Sequence, residues 1–155
     1  MEYRSGEIMT PQLLFGICSK IALLGWVGLV FGGRIRVISR TTAFAIPTTL
    51  CLVYVFAIIG HWHQRIGGFG SLSQLHDLFQ NPSLLLAGWV HYLAFDLLVG
   101  AWECTDAQKR QISHFLVIPC LLLTFLFGPI GFLLYLCLRV AFHNQSPPDS
   151  LCGPL

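Results

Sequence analysis

Ser83-Leu-Leu-Leu-Ala-Gly-Trp-Val-His-Tyr-Leu-Ala-Phe-Asp-Leu-Leu-Val-Gly-Ala-Trp102 decides the fold. Its length matches the ~20 residues an α-helix needs to cross the hydrocarbon core of a bilayer. The run is continuous rather than alternating, which fits a helix and not a barrel strand. Within it sit His91 and Asp96, side chains that are expensive at such depth and are usually retained for a reason.

Working outward, three more runs have that length, near Pro11–Phe31, Thr42–Gly60 and Ser113–Leu138. Of the 155 residues, 55% are hydrophobic and only 10% charged. A soluble domain is nearer one quarter charged, so lipid must solvate most of this surface. The expected fold is all-α, a four-helix transmembrane bundle. Residues 1–142 form one membrane domain, with spans near 11–31, 42–60, 83–102 and 113–138. The residues 143–155, with Ser146-Pro147-Pro148-Asp149 and Gly153-Pro154, read as a disordered tail. The chain shows no internal repeat.

Between spans two and three, Gly67-Gly68-Phe69-Gly70 breaks regular structure. Ser71-Leu72-Ser73-Gln74 then reads as a capping box. Leu72, Leu75, Leu78 and Phe79 follow at helical spacing, up to a stop at Pro82. This predicts a short interfacial amphipathic helix. Arg34, Arg36, Arg40, Lys109 and Arg110 fall in loops one and three, against Arg4, Arg65 and Arg139 opposite. That bias puts loops one and three in the cytoplasm or its equivalent, and both termini outside. The first residues lack a basic n-region, a cleavage site and an Arg- and Ser-rich transit peptide, so the first run is expected to stay as a span.

A net charge of +2 is too small and scattered to suggest nucleic acid. The six cysteines form no C-x-x-C pair, and four lie in apolar runs, as packing thiols do. His61-Trp62-His63 and His76-Asp77 lack a nearby cysteine, and an interfacial role fits them better than a metal site. No metal and no cofactor is expected. Nucleotide-loop, G-x-S-x-G and H-E-x-x-H motifs are absent from the sequence.

Helical spacing puts Gly88, Tyr92, Asp96 and Glu103 near one stripe, flanked by His91 and Phe95. His91 and Asp96 are about 140° apart around the helix, too far to bond but able to line one cavity. Lys20, near the middle of span one, lies at a height roughly 7 Å from Asp96. One reading is a Lys20–Asp96 ion pair that pins two helices together. The other is that Asp96 or His91 moves protons for a bound substrate. Pro129, in Phe127-Gly128-Pro129-Ile130-Gly131, predicts a kink with close glycine packing, with Thr124 one turn away. Glu103 and His114 flank the third loop and read as ordinary interfacial residues within reach of solvent.

Trp89-Val90-His91-Tyr92-Leu93-Ala94-Phe95-Asp96-Leu97 resembles the W-x-H-x-L-x-x-D-L core of the family that contains the plant abscisic acid deficient four protein. Leu75-His76-Asp77-Leu78-Phe79 and Phe127-Gly128-Pro129-Ile130-Gly131 resemble its pattern in order and spacing, over roughly Leu13 to Arg139. Plant members are implicated in making neoxanthin from violaxanthin in plastid membranes. The resemblance therefore implies an integral, multi-pass membrane protein with a carotenoid- or isoprenoid-isomerase role. Opening an epoxide to an allenic alcohol needs an acid at the epoxide oxygen and a base at a carbon-bound proton. His91 and Asp96 are the candidate pair, with Tyr92 and Lys20 in support. Trp89, Phe95, Thr124 and Pro129 are the candidate substrate-binding residues. The competing readings are a non-catalytic pigment-binding or assembly subunit, packed against itself or another membrane protein through Gly88, Gly128 and Gly131, and a proton-coupled carrier.

Overall fold

The computed structural model describes residues 10–33, 35 and 41–142. Arg4, Arg34, Arg36, Arg40 and the expected tail 143–155 lie outside the described residues. The described elements are helical: α1 (Pro11–Gly32), a π-helical turn (Thr41–Ala45) running into α2 (Ile46–His61), α3 (Leu72–Phe79), α4 (Pro82–Lys109), α5 (His114–Phe127) and α6 (Pro129–Ala141). Three stretches are long and apolar enough to cross a membrane: Pro11–Gly32, Thr41–Gln64 and Pro82–Lys109.

Two compact units divide the chain, one of residues 1–25 and 44–95, the other of 26–43 and 96–155. In the first, Cys18 and Ala22 of α1 and Leu50 of α2 pack with Leu86, Val90, Leu93 and Ala94 of α4. Spacings of three and four residues bring each set onto one helix face. Lipid tails are as apolar as these side chains. Close contact between helices, here eased by two alanines, therefore holds such a core rather than escape from water.

The same unit carries the expected short helix. Ser71 Oγ accepts from Gln74 N at 3.2 Å, as the capping box requires. The reciprocal bond differs, because Gln74 Oε1 accepts from Gly70 N at 3.2 Å instead. Gln74 O also accepts from Gly68 N, and Gly67 sits at φ +89°, where only glycine is comfortable. Leu78 is the one buried residue of α3. Pro82 does not merely stop that run. It opens α4, whose first N–H groups (Ser83 and Leu84) bond to Asn81 Oδ1.

In the second unit the expected fourth span, 113–138, is not one helix. It divides at Gly128 into α5 of 14 residues and α6 of 13. At 1.5 Å per residue each is about 20 Å long, short of the ~30 Å core. The order of contacts along α4 shows that they fold back on each other. On α5, His114 bonds to Val30 O and lies beside Gly33 and Cys104, Thr124 meets Glu103, and Gly128 meets Asp96. On α6 the order reverses: Phe132 and Tyr135 pack on Trp102, and Tyr135 and Arg139 reach Asp106. The pair is a helical hairpin with its apex beside Asp96. Three local features build it. Pro129 cannot donate to a preceding carbonyl. Gly128 takes φ +38° and ψ −88°, off limits to other residues. Gly131, lacking a side chain, lies directly on the backbone of Thr124. The predicted glycine packing is present, but the kink is a complete reversal.

Candidate functional site

The expected residues fall into two groups, one in each unit. In the first, α4 sets Trp89, His91, Tyr92 and Phe95 along two turns. The Trp89 ring lies 5.3 Å from that of Phe15 and 5.4 Å from that of Tyr92. Its Nε1 donates to Ser19 Oγ at 3.1 Å, so the indole is fixed at both its face and its edge. The same indole walls an apolar groove of about 350 Å³ between α1 and α4, with Pro11, Phe15, Leu85 and Leu86. His91 is exposed, its ring stacked on Phe95 at 4.5 Å and tilted against Tyr54 at 5.7 Å. Phe95 is also exposed and Tyr92 half-buried. Lys20 lies exposed on α1.

The second unit holds Asp96 at the hairpin apex. Both its carboxylate oxygens are 3.0 Å from where a Cβ on Gly128 would stand. The first N–H groups of α6 begin there, and the start of a helix leaves such groups without partners of its own. Pro129 is exposed beside them. Seven residues and two turns beyond Asp96 on the same face, Glu103 is 0% exposed. Thr124 Oγ1, also 0% exposed, donates to Glu103 Oε1 at 3.0 Å. Glu103 Oε2 is buried with no hydrogen-bond partner among the described residues. This corrects the reading of Glu103 as a solvent-reached interfacial residue. The α5–α6 hairpin covers the α4 face that a straight fourth span would have covered differently. The stripe Asp96–Glu103 was visible in the sequence. The place of Glu103 beside the short third loop suggested solvent and hid the burial.

Three residues further on, Asp106 Oδ2 accepts from Tyr135 OH at 2.8 Å and from Arg110 Nε at 2.9 Å. Arg139 Nε pairs with the same oxygen at 3.0 Å, as an ion pair without an aligned hydrogen bond. His114, read as interfacial with Glu103, is half-buried and bonded through Nε2 to Val30 O at 2.9 Å. The histidines of the His61–His76 segment have local partners: His61 bonds with Ala57 O, His63 with Gln64 and His76 with Gln80.

Carboxyl groups lodged against a broken helix pair, on a chain with three helices able to cross a bilayer, define an α-helical membrane protein. Its sequence places it further: the chain belongs to the ABA DEFICIENT 4-like family, whose model matches residues 13–135. No curated protein and no solved structure matches it.

Proposed function

We propose that this chain is a multi-pass integral membrane isomerase for a long apolar substrate of the carotenoid or isoprenoid class. The observation that carries the reading is the apolar groove walled by Phe15, Leu85 and the doubly fixed Trp89. It has the lining of a site for a hydrocarbon, and a rigid indole at its wall is suited to stacking on a conjugated chain. Trp89 and Phe95 supply aromatic surface. His91, exposed on the span and framed by aromatic rings, can meet a substrate dissolved in the bilayer.

The chemistry follows the epoxide-to-allene pattern. A base removes a carbon-bound proton, electrons move toward the epoxide carbon, the C–O bond opens, and an acid delivers a proton to the oxygen. Protons gained and lost balance, so the reaction is an isomerisation without redox change. We assign the two proton transfers to His91 and Asp96, with Tyr92 and Lys20 as supporting donors. Pro129 borders the apex at Asp96. Thr124, whose hydroxyl is given to Glu103, acts by positioning rather than by touching substrate.

The test is pigment chromatography of carotenoid-producing cells expressing wild type, Asp96→Asn or His91→Ala at matched membrane levels. A new peak with wild type alone is expected. Unchanged conversion in both variants overturns the assignment. Unchanged pigments with wild type as well favour the assembly-subunit reading, which predicts stable co-purification with another membrane protein.

A further inference from the structure

Where α4 and α6 end, cationic and apolar surface meet in one place. Asp106 carries one negative charge, yet two arginines converge on its Oδ2: Arg110 at 2.9 Å and Arg139 at 3.0 Å. Both approach through Nε, which leaves Nη1 and Nη2 of each planar guanidinium for a second acceptor. Tyr135, buried and bonded to Asp106 at 2.8 Å, fixes the carboxylate from below. The Arg139 guanidinium also lies over the Trp102 ring, 5.8 Å from its centre. Two long side chains that would otherwise wander are thereby held in place. Lys109 adds a third cation on the same helix end, so the cluster is positive after Asp106 is counted.

Beside it lies a cavity of about 360 Å³ lined by Arg110, Arg139, Leu136 and Val140. Leu136 and Val140 are one turn apart on α6 and form an aliphatic wall under the guanidinium groups. A soluble anion would satisfy the arginines and leave that wall uncovered. A zwitterionic headgroup would cancel its own attraction to the net positive charge. An amphiphile with an anionic phosphodiester satisfies both: phosphate oxygens accept from the Nη groups, and the first acyl carbons cover Leu136 and Val140.

We propose that Arg110 and Arg139, braced by Asp106 and Tyr135, form a site for the phosphate of an anionic phospholipid, with Leu136 and Val140 seating its acyl chain. The site shares no residue with the groove at Trp89, and the proposal stands whether or not the isomerase reading does.

The test is native mass spectrometry of the purified full chain in mild detergent, with phosphatidylglycerol or phosphatidylcholine added back. Wild type is expected to retain phosphatidylglycerol preferentially. Each arginine is expected to contribute about fivefold to that preference. The double variant Arg110→Gln, Arg139→Gln should bind the two lipids alike, and Arg110→Lys, Arg139→Lys should recover part of the difference. Should the glutamine variant fail to fold, Val140→Asp keeps Asp106, Tyr135 and both arginines and should still abolish the preference by placing a negative charge at the cavity wall. Equal retention of both lipids by wild type overturns the proposal, as does an undiminished preference in Val140→Asp. So does displacement of the lipid by inorganic phosphate alone, which would reveal a free-anion site.

Discussion

Gly131→Ala separates a folded-back hairpin from a straight fourth span by the sign of its effect. In a continuous helix, residues 131 and 124 would be two turns, about 10 Å, apart. A methyl group there would meet nothing of Thr124, and alanine for glycine would stabilise the helix by about 0.5–1 kcal/mol. In the structure the new Cβ would overlap the backbone N and Cα of Thr124 and its Oγ1. Two of those atoms are main chain and cannot rotate away, so α5 and α6 must separate. Overpacking of this kind costs about 1–3 kcal/mol, and a backbone clash belongs at the upper end. At about 1.4 kcal/mol per decade, the folded fraction relative to the unfolded should fall by about a hundredfold. The assay is reversible unfolding in mixed micelles by titration with a denaturing detergent. Gly16→Ala is the internal control, since its added Cβ would meet nothing within 4 Å beyond its chain neighbours and its own helix backbone among the described residues. If Gly131→Ala is neutral or stabilising, as Gly16→Ala should be, the hairpin is refuted.

Two further outcomes are expected. Thr124→Val removes the donor at Glu103 Oε1 and leaves a fully buried carboxyl without a hydrogen-bond partner among the described residues, so unfolding should become easier by about 1–3 kcal/mol, with Thr124→Ser restoring stability; equal stability of the valine variant would mean that the bond contributes nothing. Single cysteines at Gln111, Phe142 and Phe69, in a chain cleared of its own cysteines, should react from one side of the membrane at the first two and from the other at the third. A straight fourth span would instead place Phe142 with Phe69.

The hairpin also changes the charge balance across the bilayer. Arg139 lies with Arg110 at Asp106, at the end of α4 that carries Lys109, instead of at the opposite end where a straight span would put it.

Hydropathy alone located the three long helices, because a run such as Ser83–Trp102 has no alternative way to satisfy its backbone in lipid. Ser71 and Gln74 likewise announced the start of α3, since capping is a local property. The reversal at Gly128 was not legible. Pro129 reads the same whether neighbouring helices tolerate a kink or a full break, and what decides between them is the contact of Gly131 with Thr124 and of Gly128 with Asp96. Glu103 was missed for the same reason. Its burial is imposed by a hairpin that sequence patterning does not reveal. The positions of His91 and Phe95 on one helix followed from spacing, whereas the Tyr54 ring against His91 and the groove at Trp89 depend on α2 and α1.

The apex at Gly128 bears on the order in which the chain assembles. A break in the middle of an apolar segment exposes the last carbonyls of α5 and the first N–H groups of α6, which lipid cannot satisfy. The hairpin is therefore a poor candidate for independent insertion. It requires a face already in place to receive its apex, and α4, with Asp96, is made before it. The C-terminal hairpin should thus dock late, onto the second half of α4. A chain truncated before His114 should still reach the membrane, whereas the isolated hairpin should not stay there.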